Sequence, residues 1–215
     1  MIATRSIALA AVGALASLVI VRWQAAGRFV EEPDFTVERQ DGAIELRRYA
    51  PCVRAETTVS SPDWNRAVSE GFRRLANYIF GGNHRGSSIA MTAPVTQSQR
   101  GERIAMTAPV TQSGTAGSWV VTFTMPRGST LSSLPAPNDA RVRLESVSAR
   151  RVAVFRYTGR TSPEVLAEHE RTLRGWLERQ GLTPTGEVTS ARYDPPSTLP
   201  WLRRNELWLE LVPVN

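Results

Sequence analysis

One passage of this chain is written again about a hundred positions further on, and that repeat restricts the available folds more than any other feature. IELRRY (44–49) and VRAETTV (53–59) alternate apolar and polar residues as the strands of a hairpin do, with the turn at Ala50-Pro51. The spacing predicts a helix next: Ser61 as N-cap, Pro62 at the first helical position, then Trp64, Ala67, Val68, Phe72, Leu75 and Ile79 until Gly81-Gly82 stop it. The second passage has VRLESV (142–147), RVAVFRY (151–157), Ser162 as N-cap and Pro163, followed by Val165, Leu166, Leu173, Trp176 and Leu177 before Gly181. Corresponding elements are offset by 98 to 101 residues, too regularly for chance.

Strands also follow each predicted helix. EVTSARYD (187–194) and NELWLELV (205–212) close the second half. In the first half IAMTAPVTQS occurs twice (89–98 and 104–113) and precedes SWVVTFTM (118–125). Ile, Met, Ala and Val alternate with Ala, Thr, Pro and Thr in each IAMTAPVTQS, as in a strand with one buried face, while Pro94 and Pro109 imply an edge or a bulge. The fold class expected is α+β, with duplicated strand-strand-helix-strand units packed about a pseudo-twofold and residues 127–140 as a connector. One domain over residues 31–215 is the natural division.

Residues 1–30 read differently. Between Arg5 and Arg22 lie sixteen uncharged residues, about 24 Å as a helix, which suits a signal-peptide core or a short signal anchor with Trp23 at the interface. No good cleavage site presents itself, so an uncleaved membrane anchor is expected, with the domain on the extracytoplasmic, periplasmic side of a bacterial membrane.

The net charge of +6 invites a nucleic-acid reading, but the leader holds three arginines and no acid, leaving 23 arginines against 20 acids, scattered without basic runs. No nucleic-acid partner is expected. All 26 basic residues are arginine, which excludes lysine Schiff-base chemistry and a P-loop lysine. The single cysteine, Cys52, excludes an intrachain disulfide, and with only His84 and His169 besides it, a zinc site has too few nitrogen and sulfur ligands. No triad spacing or paired-carboxylate site suggests an enzyme.

Several strings are too specific for a general fold signal: IELRRYAPCVRAET, DWNRAVSEGFRRLANYIFGG, IAMTAPVTQ, NDARVRL, ARRVAVFRYTG, and YDPPSTLPWLRRNELWLEL. By these the chain resembles the SOUL haem-binding-protein family over nearly everything after the leader. The resemblance implies a twisted antiparallel β-barrel flanked by two helices, monomeric, with haem or another tetrapyrrole bound non-covalently in a surface groove. That groove would lie beside the first helix and be closed by the loop before the last strand.

A tetrapyrrole is a flat apolar plate with carboxylates on one edge, so its site needs an apolar strip beside cations. At 100° per residue the first helix places Ser69, Phe72, Ala76 and Phe80 on a flank and Arg66, Arg73 and Asn77 outward. The facing loop offers Leu199, Trp201 and Arg203. These ten residues form the candidate site, although such a flank could also just pack under a loop, and Arg203 and Arg204 could be edge-strand charges. In one branch of the family a histidine ligand precedes the tyrosine of the first-strand motif; here that position is Arg48. His84, in the GGNHRG loop, is a weak substitute. His169, Cys52, Met91 and Met106 suit packing better than ligation. The function expected is non-enzymatic tetrapyrrole binding for buffering or transfer at the membrane, the alternative being a membrane-tethered protein-interaction module.

Overall fold

The computed structural model describes residues 30–84, 101–115 and 117–212. The first IAMTAPVTQS passage and, of the expected membrane segment at 1–30, residues 1–29 lie outside the described residues. Among the described residues no helix is long and apolar enough to cross a membrane.

The first half contains β1 (Phe35–Asp41), β2 (Ile44–Tyr49), β3 (Cys52–Ser61), helix α1 (Trp64–Ile79), β4 (Asn83–His84), β5 (Val110–Thr115) and β6 (Gly117–Thr124). The second contains β7 (Ala136–Pro137), β8 (Val142–Val147), β9 (Arg150–Thr158), helix α2 (Pro163–Arg179), β10 (Pro184–Arg192), a 3-10 turn (Pro200–Leu202) and β11 (Arg204–Leu211). Nine strands form one antiparallel sheet in the order β1-β2-β9-β11-β10-β5-β6-β3-β8, and β4 pairs with β7 separately. Exchanging β2, β3, β5 and β6 with β8, β9, β10 and β11 reads the order of those eight strands backwards.

The protein is thus α+β, with a large antiparallel sheet and two helices. Among the described residues no closed barrel is found: there β1 pairs only with β2 and β8 only with β3, so both are edges of the described sheet. β1 is mostly exposed, consistent with a strand covered on neither side. The sheet is nevertheless strongly curved. Arg54 on β3 lies 3.6 Å from Glu210 on β11, although three strands separate theirs in the sheet.

Both faces of the sheet are buried, because adjacent residues on one strand serve different cores. On β9, Ala153 packs with Leu207, Leu209, Leu173, Trp176 and Leu177 beneath α2, whereas Val152 and Val154 join Tyr49, Ala191 and Trp208 on the opposite face. Beneath α1 lies the third cluster, including Val53, Ala55, Leu75, Tyr78, Val121 and Phe123. Burying Leu75 and Ile79 contributes roughly 1.5–3 kcal/mol each.

Three local expectations are corrected. The cap of α1 is Asp63, whose Oδ1 accepts from the Arg66 N–H at 2.9 Å; Ser61 ends β3 and its hydroxyl accepts from the Asp63 N–H at 3.1 Å. Ser162 does cap α2, with Pro163 in its first turn. In the second IAMTAPVTQS passage the strand starts only at Val110, since Pro109 has no N–H to give the ladder; Thr107 makes an isolated bridge with Glu31. Finally, Val68 is half-buried, and Tyr78 takes a core position with its hydroxyl donating to the Pro135 carbonyl at 2.9 Å.

Candidate functional site

Helix α1 sits close on the sheet because of one glycine. A Cβ at Gly71 would come within 2.5 Å of Val121 Cγ2, so the absence of a side chain lets the helix backbone rest on β6. One flank is fixed by Arg74, which donates to the Thr58 carbonyl at 2.9 Å and pairs with Glu70. The other flank carries Val68, Phe72 and Ala76, with Phe72 against Phe123 of β6. At the C-terminal end, Gly81 has φ of 113° and its carbonyl would lie 1.8 Å from a Cβ on Gly101, so the two glycine backbones touch. Asn83 locks that contact, donating to the Tyr78 and Glu102 carbonyls at 2.7 and 2.8 Å and accepting from the Glu102 N–H at 2.9 Å.

The candidate residues of the helix differ in how free they are. Phe72 is half-buried and meets Phe123 edge to face, with centroids 5.4 Å apart, so it belongs partly to the core. Ala76 is half-buried and Phe80 is 55 % exposed. The Ser69 hydroxyl donates to the Asn65 carbonyl at 2.9 Å, and Arg73 Nε to the Ser69 carbonyl at 3.3 Å. Arg66 and Asn77 are exposed. An apolar strip next to arginines is present, and its cations lie along the helix surface.

The loop before β11 is arranged differently from the expectation. Leu199 and Trp201 are exposed, Trp201 at 66 %, and the 3-10 turn sits beside β9. Arg203 is folded back on its own loop, donating to the Thr198 carbonyl at 2.8 Å and the Pro196 carbonyl at 2.6 Å. The link from this loop to α1 runs through Arg192 at the end of β10. Its guanidinium lies 4.2 Å over the Trp64 ring, and burial together with repulsion from Arg203 lowers its pKa. Arg192 is a site residue that sequence reasoning missed. Only the pairing of β10 with β5 and the packing of Trp64 reveal it.

His84 is exposed on β4, and its Nδ1 lies 2.5 Å from Asn138 Oδ1. Among the described residues no three His, Cys, Asp or Glu side chains gather to hold a metal ion. His169 stacks on Phe155 at 4.6 Å, and burial lowers its pKa. Cys52 lines two adjoining crevices of about 80 and 390 Å³ around the β2–β3 turn, neither lined by α1. The smaller is below the roughly 300 Å³ a small-molecule site needs, and the larger has no cation in its wall.

The motif strings serve the interior instead. Arg47 of IELRRY gives Glu206 of RRNEL two hydrogen bonds, 2.9 and 3.0 Å, and both side chains are buried. Glu206 also accepts from Tyr193 at 2.6 Å and Trp208 at 2.8 Å, and Asp194 accepts from the Arg204 N–H at 2.6 Å. Burial opposes the charge on Glu206, yet the bonds and attraction from Arg47, Tyr193 and Arg204 hold its pKa below the ordinary carboxylate range.

Several known proteins are similar to this chain. Human heme-binding protein 2 is 30 % identical over 191 residues, covering 86 % of this chain and 88 % of that protein. Mouse heme-binding protein 1 is 29 % identical, covering 80 % and 85 %. Among solved structures, a hydrolase from Listeria innocua (TM-score 0.53, 12 % identity, 81 % and 94 % covered) and the EcmrR C-terminal domain (0.52, 13 %, 80 % and 98 %) share the fold. The model of the SOUL heme-binding protein family matches residues 30–210, and the chain belongs to that family.

Proposed function

We propose that this protein binds haem or a related tetrapyrrole, non-covalently and without catalysing a reaction, along the α1 flank that carries Phe72, Ala76 and Phe80. The observation that carries this reading is the apolar strip of half-buried Phe72 and Ala76 and exposed Phe80 beside Arg66 and Arg73, in a chain whose relatives are named heme-binding proteins. The loop with Leu199 and Trp201 supplies further apolar surface for a flat ligand. Iron coordination by a side chain is no part of the reading, because Arg48 stands at the histidine position and His84 faces Asn138. Residues 1–30 would tether the domain, residues 31–215, as a monomer on the periplasmic side, where it buffers or passes on its ligand. The two halves are read as duplicates of one unit, of which the first took the binding role.

Titration of the protein with haemin and with iron-free protoporphyrin IX tests this. Saturable one-to-one binding of both is expected; no saturable binding of either would sink it. A second reading, a protein-interaction module, is favoured only by the 66 % exposure of Trp201. Under it, Trp201→Ala would lose a membrane partner and leave tetrapyrrole affinity intact.

A further inference from the structure

On the helix-covered face of the sheet two side chains are buried without the partners their chemistry asks for, and a half-buried arginine beside them meets no carboxylate among the described residues. Gln112 on β5 is 5 % exposed, and both its Nε2 and its Oε1 lack a hydrogen bond. Its register neighbour on β10, Ser190, is 3 % exposed; its hydroxyl lies near the Tyr157 phenol without reaching hydrogen-bond geometry. Arg192 is two residues further along β10 on the same face, about 7 Å away. Among the described residues it meets no carboxylate and rests on the Trp64 ring.

Their place in the fold is specific. Gln112 is opposite Val121 of the cluster beneath α1, and Ser190 is opposite Leu207 of the cluster beneath α2. The pair therefore marks the seam where the two halves meet, next to the α1 flank of Val68 and Phe72. A buried polar group left without a partner costs about 1–3 kcal/mol, so several together call for an explanation. A ligand that supplies the missing partners is such an explanation. Arg192 brings one unbalanced positive charge, which matches one carboxylate better than a phosphate dianion. Trp64 and Tyr157 add aromatic walls for the apolar body that carries it.

We infer that this seam is a carboxylate receptor, in which Arg192 holds the anionic oxygens at the rim while Ser190 and Gln112 hydrogen-bond to the same group from below. The carboxylate comes either from the propionate edge of a tetrapyrrole, in which case the inference rests on the function proposed above, or from a free small carboxylate.

The test compares protoporphyrin IX with its dimethyl ester on wild type, Arg192→Gln and Gln112→Leu, with circular dichroism to check folding. Wild type is expected to bind the acid at least tenfold more tightly than the ester. Arg192→Gln should reduce that preference below threefold by weakening the acid alone, and Gln112→Leu should weaken the acid about threefold. A preference unchanged in Arg192→Gln overturns the receptor. Should Arg192→Gln not fold, Arg192→Lys must still weaken the acid relative to the ester, and equal weakening of both overturns it. If neither porphyrin binds, the tetrapyrrole reading fails by itself and benzoate against benzamide decides. A rise in melting temperature with benzoate only, lost in Arg192→Gln, supports the receptor; no such difference overturns it.

Discussion

Arg47 and Glu206, 159 positions apart, form a fully buried two-point ion pair at 2.9 and 3.0 Å that ties β2 to β11 across β9. Breaking such a pair from one side strands the other charge in the interior. Glu206→Gln and Arg47→Met are each expected to lower unfolding free energy by about 3–5 kcal/mol, measured by urea denaturation. Because both remove one interaction, the double variant should cost clearly less than the sum. Strict additivity would contradict the pairing.

Acid should reveal the same network. The pKa values of Glu45 and Glu206 lie below their ordinary 4.5, through hydrogen bonds and attraction from arginines that outweigh burial. Groups depressed on folding stabilise the native state above the unfolded pKa, and the contribution disappears as pH falls through the folded pKa. The urea midpoint should therefore be level between pH 5 and 7 in this respect and drop below about 4.5, less steeply in Glu206→Gln. A midpoint unchanged down to pH 3 would contradict the assignment.

The two helices carry glycines of opposite consequence. Gly71→Ala gains about 1 kcal/mol of helix propensity but drives a methyl group into Val121, so a net loss of up to about 2 kcal/mol is expected. Adding Val121→Ala should recover part of it. At Gly175 the nearest atom to an added Cβ is Arg179 Nη1 at 3.6 Å, so Gly175→Ala should stabilise by up to about 1 kcal/mol. Thermal melts of the variants decide, and stabilisation by Gly71→Ala would show that α1 does not rest on β6.

His84→Ala should leave the Soret band of the haemin-loaded protein unchanged, since His84 Nδ1 is engaged with Asn138. A band shift in the variant would make His84 an iron ligand.

Strand and helix order was legible because apolar alternation and glycine stops are local signals. The fate of the polar faces was not. IELRRY reads as a strand with one wet side, yet Glu45 and Arg47 are buried, because their partners Glu206 and Arg156 come from strands more than a hundred residues away. Closure into the barrel that the resemblance implies is not seen among the described residues, and pairing of β1 with β8 is a property of strand order, which no single strand encodes. The α1 flank was legible from helical spacing, with the qualification that Phe72 leans into the core. Arg203 looked available and is held by its own loop, whereas Arg192 drew no attention and is a half-buried cation that meets no carboxylate among the described residues. Side-chain availability depends on what the fold supplies nearby, and periodicity does not carry that.

The most direct measurement is a haemin titration of wild type, Ala76→Glu and Cys52→Trp, followed by absorbance. A carboxylate on the flank should weaken binding at least tenfold, while a bulky ring in the crevice beside β3 should leave it within twofold. Affinity retained in Ala76→Glu and lost in Cys52→Trp would place the ligand in the crevice and contradict the account.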